Sequence, residues 1–254
     1  MRENASVVET DYDTVTVSGG DDSLIWWMKF AIALLVVIAL VGIIYLLSVG
    51  ILNPTTPRTA VEARLVVLES TVRTNPGSGR AQREYIDTLV ASGQAGAAKK
   101  QLKLAKESLK GVELSEVLAA EVAMAFADSD YAGAAKLADA AYKSDLGARE
   151  AWVKEMTGKG IKSSVVDMDS QAVVDILVFG ARSRGALKDW DKAIEGLSTA
   201  LTFSPQGADL FVLRAQAYAE HGEKDKARAD FEAALKFIPD FQPALDGLKQ
   251  LKDK

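Results

Sequence analysis

From position 30 to position 52 the chain reads FAIALLVVIALVGIIYLLSVGIL, without a charged residue. A helix over this stretch, rising roughly 1.5 Å per residue, reaches about 34 Å, enough to cross about 30 Å of bilayer hydrocarbon. A core helix of a water-soluble protein keeps its apolar residues on one stripe. Here they occupy every face, so the pattern predicts a single transmembrane helix within residues 24–52. Trp26 and Trp27 suit the interface, and Lys29 can extend its ammonium into the headgroup layer while its stem stays in lipid. A cleaved secretion signal would be shorter, would follow a basic stretch and would end at a small-x-small site. This segment follows Asp21 and Asp22 and offers only Ser48-Val49-Gly50.

Beyond it the period changes. Residues 53–58 (NPTTPR) cannot continue a helix through Pro54 and form a short hinge. Thr59 and Glu62 then have capping-box spacing, and Val61, Leu65, Leu68 and Val72 make an apolar stripe up to the Asn75-Pro76-Gly77 stop. Helix follows helix from there; sustained period-two alternation is absent, so the sequence predicts an all-α domain over residues 59–254. Ahead of the apolar segment, residues 1–23 are polar and acidic, with Gly19 and Gly20 as breakers, and read as a disordered tail.

Shifting the chain by 34 residues aligns 174–207 with 208–241. Identical pairs are Asp175/Asp209, Val178/Val212, Ala181/Ala215, Asp191/Asp225, Lys192/Lys226, Ala193/Ala227, Ala200/Ala234, Leu201/Leu235, Phe203/Phe237 and Pro205/Pro239. Small residues at Ala181 and Ala193, and at Ala215 and Ala227, let two antiparallel helices approach closely. Ala200 and Leu201 are placed to meet the next hairpin, and the prolines end the second helix.

Residues 208–241 resemble a tetratricopeptide repeat. Phe211 stands at the motif's large aromatic, Ala215 at its first small residue, Tyr218 at its tyrosine and Gly222 in the turn, with Ala227, Phe231, Ala234 and Pro239 completing it. The unit at 174–207 departs at Arg184 and Leu197, and Trp190 supplies a turn aromatic. Weaker units fall at about 79–112 (Gly93, Ala98, Leu102, Ala105) and 115–146 (Leu118, Tyr131, Ala134, Ala141). Ala193 follows Ala134 by 59 positions, not a multiple of 34, so residues 147–169 are expected to hold an irregular helix and a loop. Residues 243–252 read as a solvating cap helix. The resemblance implies a helical-hairpin solenoid, tetratricopeptide-like, behind the membrane helix.

Candidate chemistry changes this picture little. There is no cysteine, hence no disulfide, thiolate nucleophile or lipid-modified cysteine. The single histidine, His221, falls in a turn. Gly158-Lys159-Gly160-Ile161-Lys162-Ser163 lacks the Gly-Lys-Ser/Thr ending of a phosphate loop, and Asp167-Met168-Asp169 lacks the glycine and distal glutamate of a calcium loop. Helix capping by Asp169 or Ser170 is the better account of the latter. No enzyme, cofactor or metal is expected. A net charge of −5 without a basic, aromatic-interleaved stripe argues against nucleic acid as partner.

The resemblance implies a concave groove lined by the first helix of each hairpin. Its lining would be Arg80, Arg83 and Asp87, then Ala119, Ala123 and Phe126, then Asp175, Val178 and Arg182, then Asp209, Val212 and Gln216. Relatives that clamp a C-terminal carboxylate use polar residues where Val178 and Val212 stand, so a protein or peptide partner in the form of an amphipathic helix or extended segment fits better. The expected function is a membrane-anchored, single-pass scaffold for protein–protein interaction. The alternative is an accessory subunit of a membrane-associated biogenesis machine: the order of anchor, helix and repeats is similar to the membrane-anchored repeat subunit of bacterial cytochrome c maturation, and a pilus or secretion assembly factor is compatible too. That layout implies a bacterial cell membrane. For sidedness, Lys29 on one flank against Arg58 and Arg64 on the other slightly favours a cytoplasmic domain. A short tail before a long anchor favours export, and the domain is expected outside the cytoplasm. A reporter fused after Lys254 that matures only outside the cytoplasm should then be active; a silent reporter reverses the assignment.

Overall fold

The computed structural model describes residues 22–50, 59–166 and 168–253. Most of the acidic tail, the 53–58 hinge and Asp167 lie outside the described residues. The chain divides into two units, residues 1–57 and 58–254.

In the first unit, helix α1 (Asp22–Gly50) contains the apolar segment up to Gly50. Trp26 stacks on Phe30 with ring centroids 5.8 Å apart and meets Trp27 edge-on at 5.3 Å. From Trp26 to Ile43 the helix has no protein cover, and among the described residues it is the one helix long and apolar enough to cross a membrane.

The second unit is all-helical, a solenoid of helical hairpins of the tetratricopeptide-like kind. It runs α2 (Ala60–Thr74), α3 (Gly79–Ala91), α4 (Ala95–Ser108), α5 (Gly111–Ala127), α6 (Tyr131–Gly158), α7 (Gln171–Ala186), α8 (Trp190–Phe203), α9 (Ala208–Glu220), α10 (Lys224–Phe237) and α11 (Gln242–Asp253). Four antiparallel pairs, α3/α4, α5/α6, α7/α8 and α9/α10, stack in order, with α2 against α3 and α11 against α9 and α10. The Thr59 hydroxyl accepts from the Glu62 amide at 3.1 Å, so α2 begins at its capping residue. A 34-residue shift carries α8 onto α10 at both ends.

Each hairpin turns through one left-handed residue: Gly93, Ser129, Lys188 and Gly222, with φ between 61° and 88°. Glycine takes this conformation freely, whereas Ser129 and Lys188 adopt it at a cost that the packed helices on either side must offset. Small residues carry the close contacts. Ala181, Ala193, Ala215 and Ala227 are buried between paired helices, and Ala200 and Leu201 share a cluster with Leu210 of the next hairpin. A Cβ on Gly180 would come within 2.7 Å of the Ala138 methyl, so α6 and α7 meet there without room for a side chain. A Cβ on Gly247 would reach the Phe231 ring at 2.3 Å, which shows α11 packed flat on the last hairpin rather than merely solvating its end.

The region of lost register differs most from expectation. In place of a short irregular helix, α6 continues unbroken for 28 residues through Gly147, where a Cβ would meet nothing within 4 Å. It ends at Gly158 and turns off through Lys159 and Gly160 (φ 77°), with the Ile161 amide bonded to the Met156 carbonyl, so the lysine-glycine run is a helix C-cap. The extra length, about four turns beyond the 14 residues of α4, α8 and α10, brings Arg149 and Asp145 into the interior, 1% and 0% exposed. Arg149 donates to Asp145 Oδ2 (2.6 Å), to the Val165 carbonyl (3.0 Å) and to the Asp169 carbonyl (2.7 Å), and lies over the Phe203 ring. It thereby ties Val165 and Asp169 back onto α6. Asp169 then caps α7 through the Gln171 amide (3.1 Å) and pairs with Arg80 of α3. Replacing Arg149 by Leu strands a buried carboxylate and should cost about 3–5 kcal/mol. Calorimetry on the variant checks this, together with faster proteolysis within 161–170; an unchanged melting temperature would show that the pair is dispensable.

Candidate functional site

The residues expected to line one continuous groove separate into two regions with different chemistry. The first is ionic. Arg83 on α3 bonds Glu116 of α5 (3.1 Å), pairs with Asp175 of α7 and approaches Asp87 one turn along its own helix (3.6 Å). One guanidinium therefore ties the first helices of three successive hairpins. Burial works against its charge, but the hydrogen bond and charge of Asp175 and then those of Glu116 outweigh it and hold Arg83 above its usual pKa. Burial pushes the Asp87 carboxyl up, against the lowering pull of Arg83, with Asp175 and Glu84 adding repulsion. Arg80, Arg83 and Asp87 line an open depression of about 660 Å³ with Val61, Arg64 and Glu84. Its charges are largely satisfied from within.

The second region is aromatic. Phe126 at the end of α5 packs on Tyr131 (5.5 Å between centroids) and on Phe179 of α7 (5.6 Å). The Arg182 guanidinium lies 4.8 Å above Phe126 and 5.9 Å from Phe179, with no carboxylate within ion-pair reach among the described residues. Phe126, Arg182 and Gln216 converge on a cavity of about 530 Å³, together with Tyr131, Trp190, Leu213, Glu220 and Gln250. Gln216, Glu220 and Gln250 also line an adjoining cavity of about 380 Å³ between α9 and α11, beside Lys224, Phe231 and Gln242. The two form a groove that offers aromatic faces, amide groups, two exposed cations, Arg182 and Lys224, and the carboxylates of Glu220 and Asp246.

The other expected residues stand elsewhere. Val212 is 4% exposed in the core shared by α9, α10 and α11, and Ala119 is 0% exposed in the core around α5. Both belong to the packing: Ala119 faces α6 and α7, and Val212 faces α10 and α11. Val178 is half-buried between two core clusters. Asp209 lies exposed in the first turn of α9, where its charge complements the helix N-terminus. Trp190, Tyr131 and Gln250 were not anticipated as groove residues. Trp190 alone had a signal, as an aromatic where the following repeat has Lys224. His221, exposed, sits 3.2 Å from Glu223 and 3.7 Å from Asp191.

Arg214 forms the counterpart of Arg83 in the last hairpin. It grips Asp230 of α10 with two bonds (2.7 and 2.9 Å), reaches Ser198 of α8 (3.1 Å) and lies over Phe211 and Tyr218. The Asp230 hydrogen bond, exceeding the effect of burial, raises its pKa.

No protein-family model matches the chain, and no curated protein does. Among solved structures it is similar to MamA (15% identity over 70% of this chain and 88% of that one, TM-score 0.48), to a human IFIT1 dimer with a bound PPP-AAAA (16%, 72% and 36%, TM-score 0.49) and to YrrB, described as a TPR protein with an unusual peptide-binding site (13%, 72% and 97%, TM-score 0.31). Likenesses of this size say nothing about ligands here, and the assignment of the fold rests on the hairpins themselves.

A raised pKa means that the folded state holds the Asp87 proton more tightly than the unfolded chain does. Its contribution to stability is complete below the unfolded value of about 4 and is lost as pH rises through the folded one. Asp87→Asn should therefore be slightly more stable than the parent at neutral pH, the gap closing as pH falls below about 4. Half of the side chain stays open to water, so the gap should be small. Melting temperatures across pH measure it, and a destabilised variant at neutral pH would mean that attraction to Arg83 outweighs burial.

Proposed function

We propose that the protein is a membrane-tethered, non-enzymatic scaffold that holds a segment of a partner protein in the groove running from Phe126 to Gln250. The carrying observation is the convergence of Phe126, Trp190, Arg182 and Gln216, from four helices, on one cavity that continues along the cap helix. Aromatic faces and small apolar residues accept a partner's apolar side chains. The amides of Gln216 and Gln250 can pair with an extended backbone or with polar side chains. A folded partner helix or an extended peptide meets such a surface in the way that other helical grooves are filled.

Tethering supports the same reading. If α1 spans the bilayer, partners on one membrane meet at raised effective concentration, and a groove of modest affinity suffices. As an accessory subunit of a membrane-bound assembly machine the protein would use this groove to present a client. The identity of the captured partner assigns one role or the other.

Crosslinking in intact membranes followed by purification of the full chain should recover a partner. Arg182→Glu combined with Gln216→Arg, both at exposed positions, should then lower its recovery about tenfold or more, the range of interface hot spots. Undiminished recovery with an unaltered circular dichroism melt would remove the groove from the interaction.

A further inference from the structure

The outer face of α4 differs in charge from the corresponding helices of the later hairpins. Between positions 99 and 110 the chain has five lysines, Lys99, Lys100, Lys103, Lys106 and Lys110, against one acid, Glu107. In α8 and α10 the signs are mixed, with Asp191, Lys192 and Glu195 on one and Lys224, Asp225, Lys226, Arg228, Asp230, Glu232 and Lys236 on the other. Ala98, Leu102 and Ala105 bury the apolar side of α4, and all five lysines are exposed. Lys99, Lys103 and Lys106 fall on one stripe by helical spacing, with Lys100 beside it and Lys110 at the turn into α5. Lys99 is 3.6 Å from Asp128 and Lys106 is 2.6 Å from Glu121. Lys100, Lys103 and Lys110 have no carboxylate within ion-pair reach among the described residues. Leu104, 50% exposed, lies among them.

A concentrated positive face on a chain of net charge −5 is more than general solvation requires. Its place in the chain suggests what it meets. α4 belongs to the first hairpin after the apolar helix, and the nine residues between α1 and α2 span at most about 32 Å fully extended. We infer that the lysine face of α4 docks the repeat domain on anionic phospholipid headgroups. The inference rests on the reading of α1 as a membrane anchor. Lysine ammoniums supply the attraction to phosphates, and Leu104 can enter the headgroup boundary. With the domain held by one edge of its outer layer, the groove is left open to a partner.

The test uses residues 58–254, which form their own compact unit, and phosphatidylcholine vesicles with or without phosphatidylglycerol. The domain should float with the phosphatidylglycerol vesicles alone, and added salt should release it. Lys100→Glu, Lys103→Glu and Lys110→Glu together should weaken binding about a hundredfold, on the basis of about 1 kcal/mol per lysine. A control triple, Lys236→Glu, Lys249→Glu and Lys252→Glu, should bind as the parent does, both variants melting at the parent's temperature. Equal binding to both vesicle types, or an α4 triple that binds as the parent does, overturns the inference, as does binding to RNA or to an acidic protein without binding to vesicles. Resistance of the full chain to alkaline carbonate extraction reports on α1 alone, so failure of the anchor and failure of the docking face are read separately.

Discussion

The arrangement of the repeat domain depends on the buried guanidinium of Arg149. Two ordinary hairpins follow the 34-residue spacing, but a 59-residue interval separates the second from the third, and a stack tolerates such an interval only if the extra chain is folded away. Arg149 does this by using Nε and both terminal nitrogens at once, one on its own helix and two on carbonyls of the returning segment. A buried ion pair is not in itself a large source of stability, because desolvation offsets most of the attraction. Its value here is positional. It fixes Asp169, which caps α7, and α7 carries Asp175, Phe179 and Arg182 into both regions of the concave side. The Asp145 Oδ1 atom, buried without a hydrogen-bond partner among the described residues, is the cost of placing a carboxylate there.

The hairpins were legible because their packing requires small residues at fixed intervals, and an alanine in a repeated position is visible in a self-comparison. The continuity of α6 was not. Gly147 and the loss of register suggested a break, yet nothing presses on Gly147, so it weakens the helix without ending it. The Asp145 and Arg149 pair, four residues apart, has the spacing of any surface ion pair, and its burial follows only from the returning loop. The structure places Phe126, Arg182 and Gln216 along one cavity. Val212 and Ala119 failed for a geometric reason: a first helix of a hairpin has neighbours on three sides, and the 34-residue period does not tell which side a position faces. Gln250 stayed hidden because a cap helix reads as polar whether it closes a groove or faces water.

Charge is distributed with similar economy. Glu116 of α5 and Asp175 of α7 are taken up by Arg83, Asp230 of α10 by Arg214, and each guanidinium also serves as a bolt between helices. What remains unpaired is therefore informative. Arg182 in the aromatic region and Lys100 and Lys103 of α4 have no carboxylate within ion-pair reach among the described residues, in a chain that has acids in excess.

Helical solenoids usually behave as nearly one-dimensional objects, in which each repeat touches only the next and can open without consulting distant ones. The pairs Arg80–Asp169 and Arg83–Asp175 break that rule, since they join residues about ninety positions apart and bridge the first hairpin to the third. Opening α3 requires releasing the segment before α7 as well. The first three hairpins are thus coupled into one cooperative block, whereas α9, α10 and α11 are joined to it chiefly through α8 and are free to fray from the C-terminal end at lower energy. The groove straddles this boundary, with Phe126 and Arg182 on the stiff side and Gln216 and Gln250 on the compliant one, so that it can widen or narrow around an occupant without unlocking the rest.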